Sequence, residues 1–273
     1  MKRISRGDLP ALAPFLALVL VAFPIARARA QYAALQQDQP APNLPGDAEQ
    51  LFAYANQARA QSGVGPLNWD PDLAQAALAH CRLMAFQGPI AHRYAGEADV
   101  ATRAAQAGAH FSVIEENVAV GPSPEGIQDE WMHSPGHRSN LLSPDVNRVG
   151  IAVVSVRGVL YAVADYSHAV LSLSRGQIEA QVASLIRPSG VEVLRDPTLA
   201  RQACATDNGL PRAPSGAQPR FVMRWQDSDL RQLPQALVDR LKSGNYRWAA
   251  VGSCAPQSVQ DSFTAYRLAV LLY

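Results

Sequence analysis

Charge of either sign is scarce in this chain. Of its 273 residues, 17% are Asp, Glu, Lys or Arg, and the formal net charge is +1, so no basic field draws it to a nucleic acid. Cysteine is scarcer still, at three, and an odd count leaves one thiol unpaired. Histidine is absent after His168. The HExxH and GxSxG layouts are both missing, which removes two common hydrolase designs. What is plentiful is apolar: 48% of the residues, the composition of a soluble globular protein rather than a disordered one, and a length sufficient for one large or two modest domains.

The first apolar run is read as a leader. Lys2, Arg3 and Arg6 precede Leu9 to Ile25, and Ala28-Arg29-Ala30 follows as a small-x-small cleavage site. This is the layout of a secretory signal peptide over residues 1–30. An uncleaved anchor is the weaker reading, because the run is short and broken by proline, and Arg27 and Arg29 flank it. No stable membrane span is then expected after cleavage. The absence of cysteine near the cleavage site argues against a lipoprotein. The mature chain is expected to be mildly acidic, secreted or periplasmic, and in a compartment that permits a disulfide. Residues 31–46, with QQDQPAPNLPG, read as a flexible tether.

Residues 47–170 carry the clearest periodicity. Leu51, Phe52, Ala55, Ala58 and Arg59 fall at helical spacing, with Gly63 as the stop. Asp70 is a good helix cap, and Pro71 suits the first helical position. Leu73, Ala77, Cys81 and Met84 then form one core face. His80 and Cys81 lie side by side on that helix, where neighbours diverge by about 100° and rarely share a ligand. Cys81 is therefore read as a buried, apolar-like thiol and not as a nucleophile. The segment ADVATRAAQAG predicts a helix ending at Gly108, and PSPEGIQDEWMHS predicts another. Val149–Val156 and Val159–Tyr166 alternate around Arg157-Gly158 as a β-hairpin. The expected class is α+β.

Two places invite chemistry. In FSVIEENVAVG, Glu116 stands inside an apolar run, where a carboxylate is costly unless a cation, metal or hydrogen bond meets it. In WMHSPGHRSNLL, Pro135-Gly136 breaks the helix and places His137 just past its end. With His92 of the AHRY loop, these give two imidazoles and a carboxylate, a plausible set for Zn²⁺ or for general acid/base work by Glu116 and His137. Arg138 is read as structural, capping the helix or pairing with Asp129 or Glu130. Trp131 is read as core, and His110, His133 and His168 as surface.

The set WMHSPGHRSNLL, Glu116-Asn117 and RVGIA resembles the bacterial branch of the CAP superfamily (cysteine-rich secretory, antigen 5 and pathogenesis-related 1 proteins; the SCP domain). The resemblance covers roughly residues 48–167. It implies an α-β-α sandwich with a central cleft holding two His and two Glu. His92, Glu116 and His137 match three of those four, while the second glutamate's position, three residues after Trp131, is Ser134. It further implies a scaffold that binds a divalent metal, a lipid or sterol, or a protein partner, with no single reaction shared by its members. The expected function is a secreted binding module using this His/Glu cleft. A metal-dependent hydrolase or peptidase using His92, Glu116 and His137 is the alternative, and a purely structural envelope role is the third.

Residues 171–273 are expected to form a smaller α+β C-terminal domain. Leu194-Arg195-Asp196-Pro197-Thr198-Leu199-Ala200 echoes Leu67-Asn68-Trp69-Asp70-Pro71-Asp72-Leu73-Ala74, and FTAYRLAVLLY resembles VLYAVADY. A shortened, degenerate CAP-like repeat is one reading; a common helix start is the other. Without histidine, this region cannot copy the first region's site. Cys204 and Cys254 are favoured as a disulfide over any bridge to Cys81.

Overall fold

The computed structural model describes residues 46–206, 208–214, 216–256 and 262–273. The expected signal peptide and all but the last residue of the expected tether lie outside them. Local caps place the first helices. In α1 (Gly46–Gln61), Leu51, Ala55, Ala58 and Arg59 turn inward. After the short strand β1 (Asn68–Trp69) comes α2 (Pro71–Gln87). Asp70 accepts hydrogen bonds from the N–H groups of Asp72 and Leu73 at 3.0 and 3.1 Å. Pro71 takes the first helical position, where no N–H is needed. Leu73, Ala77, Cys81 and Met84 are fully buried, as their spacing predicts. Helix α3 (Val100–Ala107) starts at Asp99, which accepts from the Thr102 N–H at 2.8 Å, and ends at Gly108 in the left-handed conformation.

Two local readings change. The run FSVIEENVAVG, to which no element had been given, is a long strand, β2 (Phe111–Gly121). Ser134-Pro135-Gly136 does not end helical structure: α4 (Pro124–His133) stops at Ser134, and α5 (Pro135–Leu141) starts at once. Proline breaks a helix only in its interior, and at the first turn its fixed φ favours a start. His137 therefore stands inside a short helix, not past the end of one.

The hairpin forms as expected, from β3 (Arg148–Val156) and β4 (Val159–Ala169), with Arg157 and Gly158 at φ of 53° and 79°. Such left-handed pairs match the twist of a two-residue hairpin loop. The sheet has the order β1-β3-β4-β2, with β1 parallel to β3 and the other pairs antiparallel. Alternation splits its faces. Val118, Ala152 and Val163 pack against Ala77, Cys81 and Met84 of α2. Ile151, Ala162, Ala164 and Tyr166 pack against Leu51, Ala55, Ile127 and Trp131 of α1 and α4. This is the three-layer α-β-α arrangement. Gly150 on β3 lets α2 approach closely, because a Cβ there would collide with the backbone of Leu73 and Ala74.

The chain continues through α6 (Arg175–Ile186), β5 (Glu192–Val193), α7 (Thr198–Ala205), β6 (Phe221–Asp227), α8 (Gln235–Lys242), β7 (Trp248–Cys254) and β8 (Tyr266–Leu272). Its sheet has the order β5-β7-β8-β6, again with one parallel pair, β5 with β7. Element order and strand pairing match the first sheet once α3 and α5 are left out. The close glycine returns too: a Cβ on Gly252 would strike the backbone of Ala200 and Arg201 in α7. Across the sheets, Gly150 lies level with Asp165 and Glu116, and Gly252 with Ala269 and Arg224. The expected disulfide joins Cys204 of α7 to Cys254 of β7, while Cys81 is free and buried. Burial pushes the Cys81 thiol up to about 12, which keeps it out of nucleophilic chemistry. Residues 46–273 belong to one compact unit. Val170 packs in the second core, and the Thr264 N–H donates to the Phe111 carbonyl at 2.8 Å.

Candidate functional site

The site is built around the free edge of β2. Glu116 is 7% exposed. Its companion cation is Arg103 of α3, whose Nη2 donates to Glu116 Oε2. Arg103 is itself buried, and its Nη1 donates to the Ala98 carbonyl at 3.0 Å. The other Glu116 oxygen meets His92 Nδ1 at 2.8 Å. That bond fixes the ring and leaves His92 Nε2 without a protein partner among the described residues, on a side chain that is 59% exposed.

The loop carrying His92 is clamped from beneath. His80, on the buried face of α2, directs Nε2 to the Ala91 carbonyl at 2.9 Å and Nδ1 to Glu97 Oε1 at 2.7 Å. Glu97 Oε2 accepts from the Tyr94 N–H at 2.9 Å. His80 thus has a structural role, as buried polar groups usually do, and Cys81 beside it points into the core.

From the other side of the edge, α5 supplies His137. Its ring centre lies 6.4 Å from that of His92, with the ring planes at 58°. His137 Nδ1 is buried and has no hydrogen-bond partner. Two asparagines secure this side. Asn117 donates to the His137 carbonyl at 2.9 Å, and Asn140 donates to Asn117 Oδ1 and to the Glu116 carbonyl at 3.0 and 3.2 Å. Trp131 Nε1 donates to the Val118 carbonyl at 3.4 Å. Side chains of α4 and α5 thereby occupy edge carbonyls of β2 that would otherwise invite strand pairing.

The sequence reading missed Arg103, Asn117, Asn140 and Asp165. Asp165 of β4 is directly opposite Glu116 and fully buried, and no hydrogen bond of standard geometry reaches either of its oxygens. Burial first, and then the neighbouring Glu116, hold its carboxyl well above the usual carboxylate range. The signal for Asp165 was the same as for Glu116: an acid within an apolar strand.

The two histidines differ. The hydrogen bond that His92 Nδ1 donates to Glu116 raises His92 above the ordinary imidazole value. Burial, and then the charge of His92, lower His137. In an NMR titration His92 is expected to lose its proton at higher pH than His137. The stabilising contribution of the His92 bond is complete below the ordinary value of about 6.5 and is lost as pH rises through the raised one. Coincident titration of the two rings, or the reverse order, would contradict the geometry.

Do these residues fit zinc? Two imidazoles sharing a tetrahedral zinc at about 2.0–2.1 Å would have ring centres about 5 Å apart, against 6.4 Å here. Both Glu116 oxygens are engaged, and Ser134 stands where a further carboxylate was sought. Among the described residues, no group of three His, Cys, Asp or Glu is arranged to hold a metal. The three-ligand centre expected from His92, Glu116 and His137 therefore does not fit: the residues converge, but the carboxylate orients His92 and neutralises Arg103. Arg138 also departs from expectation. It forms no ion pair among the described residues, Asp129 pairs with His133 instead, and Arg138 lines a hollow with Glu115, Leu142 and Asp145.

The cysteine-rich secretory protein family (CAP) matches residues 52–166. The Bacillus subtilis protein YkwD is 29% identical over 107 residues, 39% of this chain and 42% of that protein. The Bacillus subtilis membrane protein YlbC is 26% identical over 107 residues, 38% of this chain and 31% of that one. The match thus spans less than half the length of either relative. Among solved structures, an outer surface protein from Borrelia burgdorferi superposes at a TM-score of 0.43 with 18% identity, covering 45% of this chain and 92% of that one. An extracellular SCP-domain protein from Bacillus anthracis gives 0.43 and 22%, covering 47% and 45%. Residues 52–166 of this chain are a domain of the cysteine-rich secretory protein (CAP) family.

Proposed function

We propose that this chain is an extracytoplasmic binding module whose ligand presents an anionic oxygen, from a lipid or a protein partner, to the His92–His137 pair. The observation that carries this reading is the bond between His92 Nδ1 and Glu116 at 2.8 Å, which aims an unpartnered Nε2 outward. The same bond raises the ring above its ordinary value, which favours an anionic oxygen at Nε2. The Cys204–Cys254 disulfide supports an oxidising compartment, and no described helix is long and apolar enough to cross a membrane. Hydrolysis is less well supported, because Glu116 is held by Arg103 and His92 and has no free oxygen to take a proton from water.

The test uses the mature protein, palmitate and a peptide with a free carboxyl terminus as probes, and NMR of the histidine rings. The expected outcome is a shift at His92 that is lost in His92→Ala, with no turnover of peptides or esters. Zn²⁺ calorimetry at about pH 7.5 and about pH 5.5 is the opposing arm. One-to-one binding that weakens with acid, disappears in a His92→Ala/His137→Ala variant and accompanies hydrolysis would replace the binding reading with the metal-dependent hydrolase.

A further inference from the structure

Among the described residues, four of the seven exposed large apolar side chains belong to one end of the first sheet: Phe86, Ile90, Val156 and Val159. Their placement follows from the register. Val156 and Val159 are the last pair of β3 and β4 before the turn. They share the face on which Ala152 and Val163 meet α2. Along that face α2 runs toward the turn: Leu73 and Ala74 lie over Gly150, and the Cys81 thiol donates to the Tyr161 carbonyl at 3.1 Å. Phe86 comes five residues later, about 7.5 Å further on, and is 87% exposed. The loop after it folds back over the same face. Tyr94 packs against the cluster of Met84 and Val163, and its hydroxyl donates to the Pro89 carbonyl at 2.8 Å, which brings Ile90 alongside. A phenylalanine so exposed, beside three other exposed apolar residues, is not the scattered single that soluble surfaces tolerate.

Within the two stretches that build this end the charges have one sign, and the next acid along the loop, Glu97, is held by His80 and the Tyr94 N–H. From Leu73 to Gly96 and from Ile151 to Ala164 the chain carries Arg82, Arg93 and Arg157 and no Asp or Glu. All three arginines are exposed. Glu125 opens α4, which packs on the opposite face of the sheet. An apolar tip ringed by guanidinium groups complements a surface that is apolar inside and anionic at its rim. We infer that the end of the first sheet formed by Phe86, Ile90 and the β3–β4 turn docks onto a membrane bearing anionic headgroups, with the apolar side chains entering the interface and the arginines meeting phosphates. This is surface attachment, not a span. It is independent of the ligand proposed for His92, although the loop that carries Ile90 also carries His92.

Co-sedimentation of the mature protein with vesicles tests it. Binding is expected to vesicles of phosphatidylglycerol and phosphatidylcholine in equal parts, to fall sharply with phosphatidylcholine alone, and to weaken as salt is raised. Phe86→Ser with Val159→Ser is expected to weaken binding about tenfold or more, with an unchanged circular dichroism spectrum, since both side chains are exposed. Arg82→Glu with Arg157→Asn is expected to remove the preference for anionic lipid, asparagine being tolerated at the left-handed turn position. Leu210→Ser, at an exposed apolar residue outside this end, is the control and should bind as the parent does. No vesicle binding would overturn the inference, as would binding that the Phe86/Val159 variant leaves intact. Concentration-dependent dimers that this variant disperses, without vesicle binding, would assign the surface to a second copy of the chain instead.

Discussion

Replacing Gly150 with alanine is expected to lower stability by about 3 kcal/mol, the upper part of the usual range for an intruding methyl group in a packed interior. The cost is high because the added Cβ would meet backbone, not a movable side chain: the nearest atoms are the Leu73 carbonyl carbon and the Ala74 nitrogen of α2. Neither a rotamer change nor a local shift relieves that contact. The helix must lift from β3, which opens the layer containing Ala77, Cys81, Ala152 and Val163. For a chain of this size the corresponding fall in melting temperature is about 6–12 °C. Gly252→Ala should behave alike, because Ala200 and Arg201 of α7 stand in the same relation to β7. Urea denaturation of both variants checks this, and a loss under about 0.5 kcal/mol for Gly150→Ala, the size of an ordinary surface change, would contradict the packing described.

Those two glycines mark where the sequence was readable and where it was not. The periodic stripe of α2, its Asp70 cap and the β3–β4 hairpin were legible, since each is local and set by the next few residues. The echo between Asp70-Pro71 and Asp196-Pro197 was visible as well, and both aspartates accept the N–H two residues on. Sequence alone could not choose between a common helix start and a repeated unit, because that difference lies in strand pairing. The structure shows the same strand order twice, with a close glycine each time. It also shows why the second sheet does not repeat the Glu116 arrangement. Arg224 stands level with Gly252, as Glu116 does with Gly150. Its guanidinium is committed to carbonyls at the end of α7 and the following loop, at 2.5 Å to Ala203 and 2.8 Å to Gly209.

The site was half legible for a physical reason. A carboxylate in an apolar run announces that it needs a partner, and Glu116 was identified on that ground. It does not announce which partner. Arg103 lies thirteen residues away in a helix that periodicity assigned correctly, yet nothing local says that its guanidinium turns inward. Asn117 and Asn140 were hidden differently: they satisfy backbone groups of β2 and His137, and those needs exist only once β2 is known to be an edge strand. The break at Pro135 misled in a third way, because proline both ends and begins helices and only the residues after it decide which. His92, Glu116 and His137 do come together, but as an oriented pair of rings beside a neutralised carboxylate and not as three ligands around an ion.

Replacing Arg103 with methionine is expected to cost about 3–5 kcal/mol, the usual penalty for removing one partner of a buried ion pair. Methionine keeps much of the side-chain volume, so the loss reports mainly on charge. Without Arg103, Glu116 faces Asp165 across β2 and β4 deprived of its buried ion-pair partner. Asp165 is already costly in the parent protein. Its carboxyl is raised by burial and by Glu116, while Arg103 lowers it. The sign follows from linkage. A carboxyl held above its unfolded value near 3.8 favours the folded state fully below that pH, and the advantage is lost as pH rises through the folded value. Asp165→Asn removes this dependence while keeping shape and polarity. The variant is therefore expected to be more stable than the parent at neutral pH, with a margin that grows from about pH 4 upward and levels off once the folded carboxyl would have ionised. Arg103→Met should also cost less in the Asp165→Asn background than alone, since one of the two opposed acids is gone. Urea denaturation of the four proteins between about pH 4.5 and about pH 8 measures all three effects. If Asp165→Asn were neutral or destabilising at the upper end, with a flat difference across the range, Asp165 would not be the strained acid that its burial beside Glu116 makes it.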